Sequence, residues 1–173
     1  MTLITPEGMT DWPTAGFPGV RVNPDTLLPH VVNEDAMEAA LAASTDPADR
    51  IMALLLEGHF GDAAEELAEA RCNDPESFKL RIYEAELHRA TNRFDRAVEL
   101  FRQLLAESQG TSREPLIHQF LGRAHFVAGN VAAAVESFAK ALDLRVEQAA
   151  DASLIYSSAV ALQRARNVLE MAP

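Results

Sequence analysis

From residue 33 onward the apolar positions of this chain recur three and four apart. Met37, Ala40 and Leu41 come first, then Ile51, Met52, Leu54, Leu55 and Leu56, then Ala63, Leu67 and Ala70. That spacing lines up side chains on one face of a helix, whereas a strand would need strict alternation, which is missing. Punctuation cuts the pattern into segments. Asn33 stands before Glu34 and Asp35 and can cap a helix that ends near Ser44, and Asp46-Pro47 and Asp74-Pro75 each join a capping residue to a proline suited to the first helical position. The predicted helices after the first are Pro47 to Glu57, Asp62 to Arg71, Pro75 to Thr91, Phe94 to Glu107, Glu114 to Ala128, Val131 to Leu144 and Gln148 to Glu170. Pro47 to Glu57 is apolar almost all round, so it should be buried on more than one side.

Residues 1 to 32 read differently. Five of the nine prolines (Pro6, Pro13, Pro18, Pro24, Pro29) and three of the eight glycines lie in the first thirty residues, so helix cannot persist there. Trp12, Phe17, Val20, Val22, Leu27 and Leu28 supply more apolar material than a solvated tail carries. The expectation is an extended arm lying against the helices. In its sharper form the arm occupies the protein's own groove, because proline-rich segments are pre-ordered for docking.

The helical part repeats itself. Gly58, Ala63, Leu67 and Ala70 return thirty-four residues later as Asn92, Ala97, Phe101 and Leu104, and thirty-seven after that as Gly129, Ala134, Phe138 and Ala141. Alanines at Ala63, Ala97 and Ala134 let two antiparallel helices approach, and Leu67, Phe101 and Phe138 plug the gap to the neighbouring repeat. Gly58, Asn92 and Gly129 supply the left-handed turn that a helix end requires. A period of this length made of paired helices marks a helical array.

Composition narrows the class. Aromatic residues make up 6% of the 173, leaving little material for a sheet, so the chain should be all-α. The formal charge is −11, and no stripe of Lys and Arg is available to neutralise phosphates, which argues against nucleic acid; the same sign repels an anionic membrane and favours a basic partner segment through the rate of encounter. Cys72 is the single cysteine, which excludes an internal disulfide and fits a reducing interior. The first residues lack the basic and apolar blocks of a leader and no apolar run reaches the length of a span, which predicts a cytoplasmic protein.

Chemistry is hard to find. His118 and His125 lie two turns apart on one predicted helix and His88 matches His125 in the repeat, but no carboxylate at helical spacing completes a metal site, and the matching positions predict that His88 and His125 fill the slot for a packed aromatic. Ser153, Ser157 and Ser158 lack a nucleophile elbow, and no glycine-rich phosphate loop occurs, so neither a catalytic residue nor a cofactor is predicted. Glu65-Glu66 and Glu84-Ala85-Glu86 read as solvated helix faces.

Leu121-Gly122, Gly129, Ala134, Phe138 and Ala141, with their in-phase copies and Pro75 closing the first, resemble the tetratricopeptide repeat. The resemblance covers about residues 45 to 145, in three copies (about 45–75, 76–110 and 112–146). Val146 replaces the usual closing proline, and Arg50-Ile51 and Glu84-Ala85 replace the Leu-Gly pair. Helix 148–170, apolar at Ile155, Ala159, Leu162, Ala165 and Leu169, is similar to a truncated fourth copy that would cap the array. The resemblance implies a right-handed α-solenoid whose concave wall carries Met52, Leu55, Tyr83, Glu86, Arg89, Gln119, Arg123 and Phe126. Met52, Glu86 and Arg123 stand where a well-defined subtype has the asparagines that grip a terminal carboxylate, so that clamp is absent. The implied function is a non-catalytic adaptor or scaffold that takes a peptide or protein segment in its groove. Two alternatives are a small acidic chaperone of the secretion type, and a self-assembling module that pairs through Ile155, Leu162 and Leu169 of the last helix.

Overall fold

The chain is described from a computed structural model, which covers residues 11–172. The reading that the first residues lack a leader concerns positions outside that range. Among the described residues, three short strands, β1 (Thr14–Phe17), β2 (Val20–Val22) and β3 (Pro29–Val31), precede eight helices. These are α1 (Glu34–Ala43), α2 (Pro47–Glu57), α3 (Phe60–Asn73), α4 (Phe78–Ala90), α5 (Phe94–Ser108), α6 (Glu114–Val127), α7 (Val131–Glu147) and α8 (Ala152–Met171). None is long and apolar enough to cross a membrane.

The arm is where composition misled. It is no plain extended segment but an antiparallel sheet in the order β1-β2-β3, with Phe17 paired to Val20 and Val20 to Val31. Val20 and Val22 are buried on either side of the more exposed Arg21, a period-two signal only three residues long. Pro18-Gly19 makes the first turn, and Gly19 also anchors the sheet to α1: its carbonyl accepts from the amides of Val32 (2.8 Å) and Asn33 (3.2 Å). Its φ of +76° and a virtual Cβ only 2.3 Å from the Asn33 carbonyl oxygen leave room for glycine alone.

Two helix starts carry the side-chain caps that the sequence predicts. The Asn33 side chain accepts from Ala36 N at 3.0 Å, and Asp46 accepts from Ala48 N at 2.9 Å with Pro47 at the first position. Asp74 behaves otherwise. It ends α3 by donating its amide to Ala70 O, and Ser77 caps α4 by accepting from Leu80 N, so α4 starts at Phe78 rather than at Pro75. The last boundary also moves, because α7 runs on to Glu147 and Ala149 (φ 51°) turns the chain before Asp151 caps α8. Between paired helices Gly58, Asn92 and Gly129 adopt φ of 78°, 62° and 86°, the left-handed turns that the repeat requires.

From α2 onward each helix packs on the next, and α2 also reaches α4. The apolar core is accordingly a series: one cluster joins α2, α3 and α4 around Ile51 and Leu67, and a second joins α4, α5 and α6 around Ala85 and Phe101. A third joins α7 and α8 around Phe138 and Leu162. This overlap of every hairpin with the following helix is solenoid packing. Within it one pair of positions, sixteen residues apart, carries complementary volumes: Ile51 with Leu67, Ala85 with Phe101, and Gly122 with Phe138. A Cβ at Gly122 would lie 2.6 Å from the Phe138 ring, so that ring fills its own hairpin as well as packing toward α8. The departures from Leu-Gly at Ile51 and Ala85 are therefore matched by what faces them.

Adding one methyl at Gly122 should overpack a ring that is 1% exposed. Gly122→Ala is expected to cost about 1–3 kcal/mol in urea unfolding, and Phe138→Leu in the same chain should recover part of the loss. Equal stability of Gly122→Ala and the native chain would count against this seam.

Candidate functional site

The arm's sheet lies across the repeats and meets both ends of the array. At the first end Val20 packs with Met37 and Ala53. At the other, Leu27 is buried (2% exposed) among Ala134, Phe138, Ala161, Leu162 and Ala165. It is held there with φ 59°, unusual for a leucine, by a turn in which Asn23 Oδ1 accepts from Asp25 N and Asn23 O accepts from Leu27 N. Three further bonds reach the arm from the last helices: Arg123 Nε to Leu27 O (2.9 Å), Arg164 Nε to Asp25 O (2.9 Å) and Tyr156 Oη to Asp11 O (2.7 Å).

Between this sheet and the first helices of the hairpins runs a cleft of about 570 Å³. Seven of the eight residues that the sequence singled out line it: Met52 and Leu55 from α2, Tyr83, Glu86 and Arg89 from α4, and Gln119 and Arg123 from α6. Phe126 does not. It packs instead with the cluster around Leu27 and Phe138, one turn too far along α6 to face the hollow. The arm supplies the opposite wall, with Ala15, Leu28 and Val31 among its residues, so Met52 and Leu55 face the chain's own arm across the cavity.

The cleft is graded. Met52, Leu55, Leu56 and Phe60 make one end apolar, and charge gathers along the rest. Glu86, placed among solvated faces by its sequence, is 4% exposed and accepts two bonds from Arg89, Nε and Nη2 each at 3.1 Å. Arg123 lies 3.7 Å from the same carboxylate, and its guanidinium sits 5.3 Å from the Phe120 ring centre, which in turn stacks on Phe101. Burial lowers the Arg123 pKa and pushes the Tyr83 phenol up to about 12, so at neutral pH Tyr83 is a proton-bearing donor.

Arg145, at the C-terminal end of α7, was missed. It also lines the cleft and is 4% exposed, yet both its bonds go to neutral atoms, Leu154 O (2.9 Å) and Ser158 Oγ (2.8 Å). Ser158 Oγ in turn donates a hydrogen bond to Gln119 Oε1 at 2.8 Å. A hint was present in the sequence, since Ala141, Leu142, Gln148 and Ala149 stand at the helical spacings where an arginine normally finds its carboxylate. Burial, with no opposing charge, draws its pKa down to about 10.

The histidines lie elsewhere. His88 Nδ1, His118 Nε2 and His125 Nδ1 are buried without a hydrogen-bond partner, in keeping with imidazoles that fill packing slots. A carboxylate does stand one turn before His118, contrary to the sequence reading: Glu114 Oε1 is 3.6 Å from its Nε2. One such pair is no ligand set, and no group of three metal-binding side chains occurs among the described residues. The C-terminal helix follows the expected phase at Leu162 and Ala165 and departs from it at Leu169. It buries Ser158, Ala161, Leu162 and Ala165 against the fold, while Leu169 stays exposed, so Leu162 is not free to pair with a twin.

Residues 54–121 match the protein family described as Tetratricopeptide repeat. This segment is similar to a tetratricopeptide repeat region. The match spans the second half of α2 to the middle of α6, and the third hairpin continues the same packing beyond it. No curated protein and no solved structure matches the chain. Tetratricopeptide repeats are as a rule non-catalytic interaction modules, and here their inner face is partly covered by the chain's own arm.

Glu86 is the counter-charge for two buried guanidiniums. Glu86→Ala should cost about 2–3 kcal/mol in chemical unfolding, near the low end for breaking a buried pair because the cleft admits water. Glu86→Ala with Arg89→Met should recover part of that, and a neutral single variant would contradict the arrangement. A second expectation concerns pH. Burial holds His88, His118 and His125 below the ordinary histidine range, so as pH falls the unfolded chain takes up protons before the folded one. Stability should be full above about pH 6.5 and fall progressively below it, in a step that shrinks in His125→Phe. A melting temperature flat from about pH 7 to pH 5 would refute it.

Proposed function

We propose that this protein is a non-catalytic adaptor, working in the cell interior, that captures one segment of a protein partner in the cleft between its tetratricopeptide repeats and its N-terminal sheet. The residues assigned to contact are Met52, Leu55, Tyr83, Glu86, Arg89, Gln119 and Arg123. The observation that carries the reading is the graded cleft itself, with an apolar end for anchoring side chains and fixed charges for register.

Size constrains the guest. One turn of helix with its side chains fills roughly 500 Å³. The cleft therefore suits about one turn, or a short extended stretch, and not a long amphipathic helix laid along the array. The net charge of −11 hastens encounter with a basic surface, although the charges inside the cleft are mainly positive.

Filling the cavity tests the reading without disturbing the ion pairs. Met52→Trp should leave the helical circular dichroism unchanged and reduce capture of partner proteins from native lysate about tenfold. A matched substitution on the outer face, Glu65→Trp, should leave capture intact. Identical capture by all three proteins would remove the cleft from consideration.

A further inference from the structure

The charge inside the cleft runs opposite to that of the molecule. Of the described residues lining it, Arg89, Arg123 and Arg145 are cations and Glu86 is the single carboxylate, in a chain whose formal charge is −11. Arg89 and Arg123 share Glu86, so part of their charge is answered. Among the described residues Arg145 is answered by nothing but a carbonyl and a hydroxyl, although it is 4% exposed. A cation kept out of water without a counter-charge destabilises the fold, and methionine or leucine at the same place would not. Packing alone does not account for an arginine there.

We infer that this end of the cleft is a binding site for a free amphipathic carboxylate of small-molecule size, its head facing Arg145 and Arg123 and its apolar part lying toward Leu55, Met52 and Phe60. Four observations converge on that class. The excess of guanidinium selects an anion. Arginine forks suit planar two-oxygen groups, and several of their donors are already committed, to Glu86, Leu27 O, Leu154 O and Ser158, which favours a carboxylate over a phosphate with its third oxygen and second charge. The neighbouring Glu86 carboxylate weighs further against a dianion. Finally, about 570 Å³ with a mostly apolar lining is the scale of a site for a small organic ligand, and the chain's own arm narrows the approach to it.

The consequence rests on the adaptor reading of the same cleft: a bound small anion and a partner segment would compete, making capture responsive to a metabolite of this type. Binding of the anion itself does not depend on that reading. The test is calorimetric titration of the full-length protein with sodium octanoate, alongside octanol, octylamine, acetate and octyl phosphate. Octanoate should bind one to one, about tenfold or more tighter than octanol, octylamine and acetate, a margin of the order set by one charge-assisted contact. Arg145→Met should lose at least about tenfold in octanoate affinity while melting no lower than the native chain. Should that variant fail to fold, Arg145→Lys, which keeps the charge and loses the fork, should fold and bind severalfold more weakly. Equal binding of octanoate and octanol, tighter binding of octyl phosphate than of octanoate, or native affinity in the Arg145 variants would each overturn the proposal. Octanoate binding together with undiminished protein capture by Met52→Trp would sink the adaptor reading and leave this one. Silence toward octanoate, with capture lost in Met52→Trp, would do the reverse.

Discussion

The structure depends on a contact between residues nearly a hundred positions apart: Leu27, buried beneath the last hairpin, with its carbonyl bonded to Arg123. A row of helical hairpins touches only its nearest neighbours, so its curvature is the sum of many small and soft angles. The arm changes that. With Val20 packed at α1 and α2 and Leu27 packed at α7 and α8, it spans the array as a chord spans an arc, and the ends can no longer move independently. The cost is a leucine in left-handed conformation, tolerable because its side chain, its amide and its carbonyl are all committed to partners.

The same chord explains why the inner face is a cleft rather than an open trough. The hairpins offer a concave wall, and the sheet supplies a second wall from the other end of the chain. Charges that would be solvated on an open surface thereby become enclosed, which is why Glu86, Arg89 and Arg123 form a compact cluster held by Phe120 on one side and by the arm on the other. Arg145 belongs to the same enclosure but has no anion of its own.

Most of the helical architecture was legible because its signals are local: small residues at Ala63, Ala97 and Ala134, left-handed turns at Gly58, Asn92 and Gly129, and caps at Asn33 and Asp46. Asp74 misled because an aspartate beside a proline can close one helix as readily as open the next, and Ser77 took the opening role. The sheet was not foreseen, since strands of three or four residues leave almost no periodicity to detect. Seven of the eight positions named from the repeat register line the cleft, and Phe126 lies in the core because that face of α6 meets the buried Leu27 cluster. Arg145 escaped notice because it belongs to the cavity through tertiary closure, which no helical period encodes.

That closure orders events during synthesis. The segment containing Leu27 is made more than a hundred residues before Ala161, Leu162 and Ala165, against which it must lie. Neighbouring hairpins can assemble as they emerge, but the arm has to wait, its valines and leucine uncovered, until the terminal helix is complete. The cavity is thus the last part of the molecule to come into being, and a chain cut short before α8 would have the repeats without the pocket.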